Sequence, residues 1–382
     1  MLRKVLAGLF LLVLMAGAYL LLAPIPVEPV AWDAPASAGY TGVHVANSRL
    51  TQLRQLSIGD ERGPEHVALG PDGLLYAAVE GGKILQMEPD GSNPRVWTQT
   101  GGRVLGFDFD RHGNMIAADS VRGLLLIEAG TEKKVSVLAD KVRIGEQDDP
   151  VRFADAVVVA QDGKIYFTDA SRRFGAATWG EFQASVLDIM EHSATGRVLV
   201  YHPGTRTVEV VADGLSFANG IALSADEKAV FVAETGAYRI WKIATEARDL
   251  TLNGDSAANG SAGTASVVLA NLPGYPDNLM RGRDGRIWVG LAKPRSVTAD
   301  RLAAYPFLRK IALRLPQSLW PVPPSYGHVL AFDESGKVTI DLQDPSGAYP
   351  ETTGVTETED RLYIQSLHAP QLGWLSKDQS GL

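Results

Sequence analysis

The stretch Gly274–Leu291, "GYPDNLMRGRDGRIWVGL", holds two short apolar runs separated by a turn. Asp284-Gly285 is a turn pair, and Arg286 to Leu291 alternates and carries β-formers, so the right half is a strand. The left half is a second strand with an Asp-Asn pair, Asp277-Asn278, at its mouth. The same phrase recurs along the chain: "PEHVALGPDGLLYAAV", "VLGFDFDRHGNMIAAD", "FADAVVVAQDGKIYFTD", "FANGIALSADEKAVFVAE" and "TTGVTETEDRLYIQSL". Leu75, Met115, Ile165, Ala229, Ile287 and Leu362 mark the second strand of each copy, at intervals of 40 to 75 residues. Several copies continue into a third strand, such as "GRVLVYHP". Six copies of one multi-stranded unit predict an all-β fold, a six-bladed β-propeller over residues 45–378. Residues around 40–58 are expected to pair with the last blade and close the ring.

Aligned on the turn position (Gly73, Gly113, Gly163, Glu227, Gly285, Asp360), the residues eight places earlier are Glu65, Leu105, Asp155, Asn219, Asp277 and Thr352. The first strand of a propeller blade lines the central channel, so equivalent positions converge on the axis. Glu65, Asp155, Asn219 and Asp277 then meet, and three acids brought together need protons or a cation. An all-oxygen set suits Ca²⁺ and disfavours zinc. Asn278 adds an oxygen or orients Asp277. His66 follows a candidate ligand and is a candidate proton carrier, although alternation along the strand turns it away from Glu65.

The chain has 382 residues, 45% of them hydrophobic, and a formal net charge of −8. No Lys/Arg run stands out, so nucleic acid is not an expected partner. With no cysteine there is no disulfide framework and no thiolate chemistry. No G-x-S-x-G elbow appears, which argues against a serine hydrolase. Arg3 and Lys4 precede an uncharged stretch, Val5–Val27. Residues 1–27 therefore read as a membrane anchor or signal segment, with the anchor favoured by length and a cleavage site at Ala16–Ala18 as the alternative. The basic flank puts the body on the non-cytoplasmic side, in a periplasm or equivalent. Residues 28–44, with Pro29 and Pro35, form an extended tether. Two segments break the repeat, Ser171–Thr195 and Pro294–Pro324; both leave at comparable points and should rise on one face. The second contains "ADRLAAYPFLRKIALRL", read as a lid, a lipid-contacting helix or a blade insertion. Glu246–Ala265, rich in Gly, Ser and Ala, reads as a loop.

"GPE" (63–65), "DAVVVAQDGKIYFTDAS" (155–171), "DGLSFANGIALSADE" (213–227) and "LPGYPDNLMRGRDGRIWVGL" (272–291) resemble the strictosidine synthase-like family. That family belongs with gluconolactonase/regucalcin and the paraoxonases. The resemblance implies a Ca²⁺ ion in the channel on Glu65, Asp155, Asn219 and Asp277, hydrolysis of lactones or aryl esters, and Asp277 as base or nucleophile. It implies a small, hydrophobic ester or lactone as substrate and a membrane contact through the N-terminal helix. Relatives often carry Asn at the Asp155 position and a cysteine pair that is absent here. Where paraoxonases have an acidic residue for a second calcium, this chain has His66. The glutamate of true strictosidine synthases does not align securely, with Glu351 and Glu357 nearby, so that condensing activity is not carried over. A non-catalytic, membrane-tethered binding propeller is the alternative from another class.

Overall fold

In a computed structural model of the chain, which describes residues 2–254, 256–257 and 263–382, each copy of the phrase folds into the inner hairpin of a four-stranded antiparallel blade. The inner strands are His66–Leu69, Val104–Phe109, Ala154–Val159, Ala218–Leu223, Gly274–Arg281 and Thr352–Glu357. All six second-strand markers fall within the second strands, because the alternation of apolar residues fixes which face each strand buries. Packing is between blades. Val198, Val200 and Tyr166 of blade three lie against Trp241, Ile243 and Val232 of blade four, and equivalent clusters fill the other gaps.

The ring closes as expected. Arg54–Ser57 is the outer strand of the sixth blade and pairs antiparallel with Gln371–Ser376, Arg54 opposite Trp374. This chain-end pairing removes the exposed edges an open array would leave. The Glu246–Ala265 expectation needs correction in part: Leu250–Asn253 is a strand that runs parallel to Thr207–Leu215, and with Ser256–Ala257 paired to it blade three widens to six strands. Residues 255 and 258–262 of that segment lie outside the described residues.

Both insertions fold as helices on the face where the inner strands begin. The first gives α2 (Ala176–Trp179) and α3 (Glu181–Glu191), after an apolar N-terminal helix α1 (Leu2–Leu22). The buried residues of α3 are Ala184, Leu187, Asp188 and Glu191, an i, i+3, i+4, i+7 stripe, with Met190 beside it. His192, in the left-handed conformation at φ 55°, ends it. The second gives α4 (Val297–Leu302) and α5 (Pro306–Arg314), with Pro306 in the first turn of α5 and Pro316 just past its end. Phe174, Leu187, Met190, Phe217 and Leu313 form one apolar cluster, so the insertions make a single cap.

Residues 25–36 are extended and lie across this cap. Val27 is fully buried in the same cluster. The Glu28 amide donates to Glu191 Oε2 (2.7 Å), and the Val30 amide to the Glu191 carbonyl (2.8 Å). Trp32 stacks on His192, ring centroids 4.0 Å apart. The buried Arg309 guanidinium donates to the Met190 carbonyl (2.8 Å), to Ala303 (3.0 Å) and to Val30. One side chain thus ties α3, α4 and the N-terminal strap together.

Inner strands of neighbouring blades approach closely next to the channel. A Cβ on Gly220 would sit 2.2 Å from the Leu279 amide nitrogen and 2.4 Å from the Asp277 carbonyl oxygen. Gly220→Ala is therefore expected to destabilise the fold by about 2–4 kcal/mol, since both neighbours are backbone. Gly130→Ala, which meets nothing within 4 Å, should be nearly neutral. Denaturant unfolding of the two variants checks this, and equal midpoints would contradict the packing argument.

Candidate functional site

The channel residues owe their aim to an irregularity the repeat does not announce. The ladder between first and second strand shifts register between Ala154 and Val157, Ala218 and Ile221, and Pro276 and Leu279. Asp155, Asn219 and Asp277 sit inside these bulges, and a bulge re-aims its side chains. Glu65 lies one residue before its strand, its amide donating to the Ala78 carbonyl (3.0 Å). Threonines from elsewhere in the ring hold these positions: Thr168 Oγ1 donates to the Asn219 carbonyl (2.7 Å), Thr235 Oγ1 to Pro276 (2.7 Å) and Thr353 Oγ1 to Glu65 (2.9 Å).

Glu65, Asp155, Asn219 and Asp277 all line one cavity of about 670 Å³ in the channel mouth. Their exposures are 2, 4, 5 and 6%. Asn278 Nδ2 donates to the Glu65 carbonyl (3.0 Å) and approaches Glu65 Oε1 (3.4 Å). Leu105 also lines the cavity, whereas Thr352 does not and instead donates Oγ1 to the His328 carbonyl (2.9 Å).

The electrostatics are those of a site short of positive charge. Burial, then the Asp277 charge, pushes Glu65 well above the usual carboxylate range. Burial, then Glu65, does the same to Asp155, and burial, then Asp155, to Asp277. Arg103 is the nearest cation, its Nη2 3.9 Å from Glu65 Oε2, too long for a hydrogen bond. Glu65 Oε2, Asn219 Oδ1 and Asn278 Oδ1 are buried with no hydrogen-bond partner. Unpaired buried oxygens of this kind cost stability unless something satisfies them. Oxygen donors converging with lone pairs free fit a hard divalent cation.

His66 does not reach the cavity, which corrects its candidacy as a proton carrier. It is 5% exposed, packs edge-on against Phe107 (4.7 Å) and has neither ring nitrogen hydrogen-bonded. Burial lowers its pKa to about 4, so it is a neutral packing residue. His112 lies in an exposed turn. The histidine that lines the cavity is His368, on the loop after Arg361–Ser366. Its Nδ1 pairs with Glu351 Oε2, and Lys293 Nζ holds Glu351 Oε1 at 2.7 Å; all three line the cavity. Burial opposes the charge of Glu351, but the His368 and Lys293 hydrogen bonds outweigh it and hold its carboxyl at about 2. The hydrogen bond to Glu351 raises His368 in turn. The sequence does not join these three residues, because Lys293 comes from blade five and Glu351 and His368 from blade six, and they share no register.

A second donor set lies on the flank of blade five, outside the cavity. His44 Nδ1 and His328 Nε2 both face Asp341 Oδ2, at 2.8 and 2.9 Å, and the three ligand atoms lie within 4.8 Å of one another. Nitrogen-rich donors of this kind could take a transition metal. Burial would raise Asp341, yet the two histidines hold its carboxyl well below the ordinary range. None of the three lines the cavity.

The strictosidine synthase family signature matches residues 155–248, and that of the strictosidine synthase-like N-terminal region matches 42–87. The adipocyte plasma membrane-associated protein of Salmo salar is 30% identical over 389 residues, covering 96% of this chain and 88% of that protein. Its Homo sapiens counterpart is 29% identical, covering 94% and 86%. The strictosidine synthase-like 4 protein of Arabidopsis thaliana is 34% identical over 269 residues, covering 69% and 65%. The chain belongs to the strictosidine synthase-like family. Among solved structures, a gluconolactonase from Xanthomonas campestris superposes with a TM-score of 0.56 at 19% identity, covering 93% of this chain and 99% of that one. A regucalcin from Agrobacterium tumefaciens, described as a calcium-binding protein, gives 0.54 at 12%, covering 85% and 93%. At these identities the likeness is one of fold, that of the β-propeller.

Because Glu65, Asp155 and Asp277 are shifted upward, the folded state holds their protons to higher pH than the unfolded chain, whose carboxylates titrate near about 4. Their contribution is present below that pH and is lost as pH rises through the folded values. In chelator, the melting temperature is thus expected to fall between about pH 5 and about pH 8. Asp108 and Asp188, raised by burial to about 6 and about 7, act in the same direction, so the slope is read against Asp155→Asn. Calorimetric melts should show a shallower decline in the variant; identical slopes would mean Asp155 is not strained.

Proposed function

We propose that the protein is a calcium-dependent hydrolase of lactones or aryl esters acting in the channel cavity. The observation that supports this best is that three buried, upward-shifted carboxylates and the unpaired Asn219 Oδ1 line one cavity, with the unpaired Asn278 Oδ1 buried behind it. Glu65, Asp155, Asn219 and Asp277 would hold the ion, with Asn278 orienting Glu65 and offering its free Oδ1. A bound divalent cation supplies Lewis acidity toward a carbonyl oxygen.

The chain's own groups supply the rest. Phe153, Phe217, Val186 and Ile189 give the cavity an apolar wall suited to the acyl part of a small ester. Asp277 takes a proton from the attacking water as the water oxygen bonds to the carbonyl carbon. When the ester C–O bond breaks, the leaving alkoxide needs a proton back. His368, raised by its bond to Glu351, would serve as the imidazolium: Nδ1–H donates to Glu351 and Nε2–H gives its proton to the alkoxide, Asp277 releasing the water's proton to solvent and His368 regaining one from it. Lys293 keeps Glu351 charged and in position.

The chain is read as membrane-anchored, with the propeller on the non-cytoplasmic side. α1 is long and apolar enough to cross a bilayer, a test that a signal sequence also passes. The anchor reading is supported by Arg314, whose Nε donates to the Ala23 carbonyl (2.6 Å) and Nη1 to Leu20 (3.0 Å). The last turn of α1 is thus part of the cap, and the strap that follows is bound along its length.

Hydrolysis of phenyl acetate or a simple lactone is expected to vanish in chelator and return with Ca²⁺. Asp277→Asn should lower kcat by about 100-fold or more, with calcium still bound on calorimetry. His66→Ala should affect stability alone. Activity that persists in chelator would contradict the reading, and the non-catalytic binding propeller would take its place if no ester or lactone turns over. Intact mass of the membrane-extracted protein should include residues 1–23; a chain that starts near Tyr19 would overturn the anchor.

A further inference from the structure

Beyond α1 and the chain just after it, the segments that wall the cavity carry a group of exposed apolar side chains. Val297 on α4, Tyr305 before α5, Phe307 and Leu308 on α5, and Leu319 beyond it are 43–63% exposed. From the same insertion, Ala299, Pro321, Val322 and Pro323 line the cavity. Phe182 on α3 does both: it is 41% exposed and lines the cavity, which places it on the rim. Elsewhere on the propeller the exposed apolar residues are scattered, as at Leu69, Val96, Val137 and Ile144. Single exposed apolar residues are ordinary, but a contiguous set around a cavity mouth needs a covering.

The position of α1 says what the covering is. α1 packs on α5, and Arg314 at the end of α5 grips the carbonyls of Leu20 and Ala23. The strap continues over the same cap through Arg173, which donates to the Pro26 carbonyl (3.1 Å), and Arg295, which donates to Pro35 (2.6 Å). The apolar helix therefore does not hang from a free tether. It is joined directly to the helices that frame the cavity, so a bilayer that held α1 would begin where α5 lies.

We propose that the cap formed by α4, α5 and residues 315–323 rests in the lipid interface, so that the cavity opens onto the bilayer and draws its ligand from the lipid phase. The contact is that of an interfacial helix, which sinks its apolar face roughly 5–10 Å into the headgroup boundary. Lipid covers Phe307, Leu308 and Leu319, and an amphiphilic ligand passes Phe182 to reach the carboxylates without crossing bulk water. The inference rests on α1 remaining in the membrane and on nothing about the reaction.

The chain has no cysteine, so single cysteines report on one place each. Full-length protein in phosphatidylcholine nanodiscs would carry a fluorophore on Phe307→Cys, Leu319→Cys, Leu12→Cys in α1, or Arg111→Cys in a turn at the far end of the inner strands. Lipid bearing a nitroxide near the headgroup end of its acyl chain is then added. The expected result is loss of fluorescence at positions 307, 319 and 12, with position 111 unaffected. Quenching at 12 without quenching at 307 and 319 would overturn the proposal while leaving the anchor intact. Absence of quenching at 12 would overturn the anchor and the proposal with it. Equal quenching at 111 would mean that the whole propeller surface meets lipid without preference, which also overturns it.

Discussion

Three carboxylates buried around one axis cannot all stay charged unless something positive joins them. Much of the inner structure follows from that constraint. The bulges turn Asp155, Asn219 and Asp277 inward, and the threonine hydroxyls fix the backbone behind Asn219, Asp277 and Glu65. Arg103 pairs loosely with Glu65 at 3.9 Å without a hydrogen bond, and burial and the Asp277 charge still hold Glu65 well above the usual range. Left empty, such a ring is a store of unfavourable energy; a hard cation bound there would relieve it, as the proposed function requires. The fold supplies rigidity because each ligand comes from a different blade and no blade can move alone.

The propeller, and the shared slot that sets Glu65, Asp155, Asn219 and Asp277 around one cavity, were legible in the sequence for the same physical reason. A blade is a local unit, and the distance from first-strand mouth to turn is fixed by two short strands and their hairpin. Counting eight residues back from Gly73, Gly163, Glu227 and Gly285 therefore lands on one slot even though the ladders bulge. The closing strand Arg54–Ser57 was also expected, since a ring must be sealed. What lay beyond the repeat depended on contacts between distant segments. His368, Glu351 and Lys293 meet only when blades five and six are assembled. His44 and His328 look like unrelated residues until the turn Gly42–His44 and the pairing of Gly327–Phe332 with Val338–Asp344 bring them to Asp341. His66 shows the limit of neighbourhood in sequence: one residue from Glu65, it faces the other way and is packing.

The N-terminal strap changes how the molecule is to be regarded. Its prolines suggested a spacer that merely holds the propeller away from a membrane. Instead Val27, Trp32 and the backbone of residues 28–36 are built into the cap, clasped by Glu191, Arg309 and Arg295. Apolar helix, strap, cap and cavity form one continuous path, so these contacts set the orientation of the channel relative to α1.

The central claim is that the channel ring is a divalent-cation site. It is tested most directly by calorimetric titration of Ca²⁺ into the full-length, chelator-stripped protein in detergent, beside Asp155→Ala. The account predicts one ion bound by the wild type and none by the variant. No binding to the stripped wild type, or binding that Asp155→Ala leaves unchanged, would contradict it.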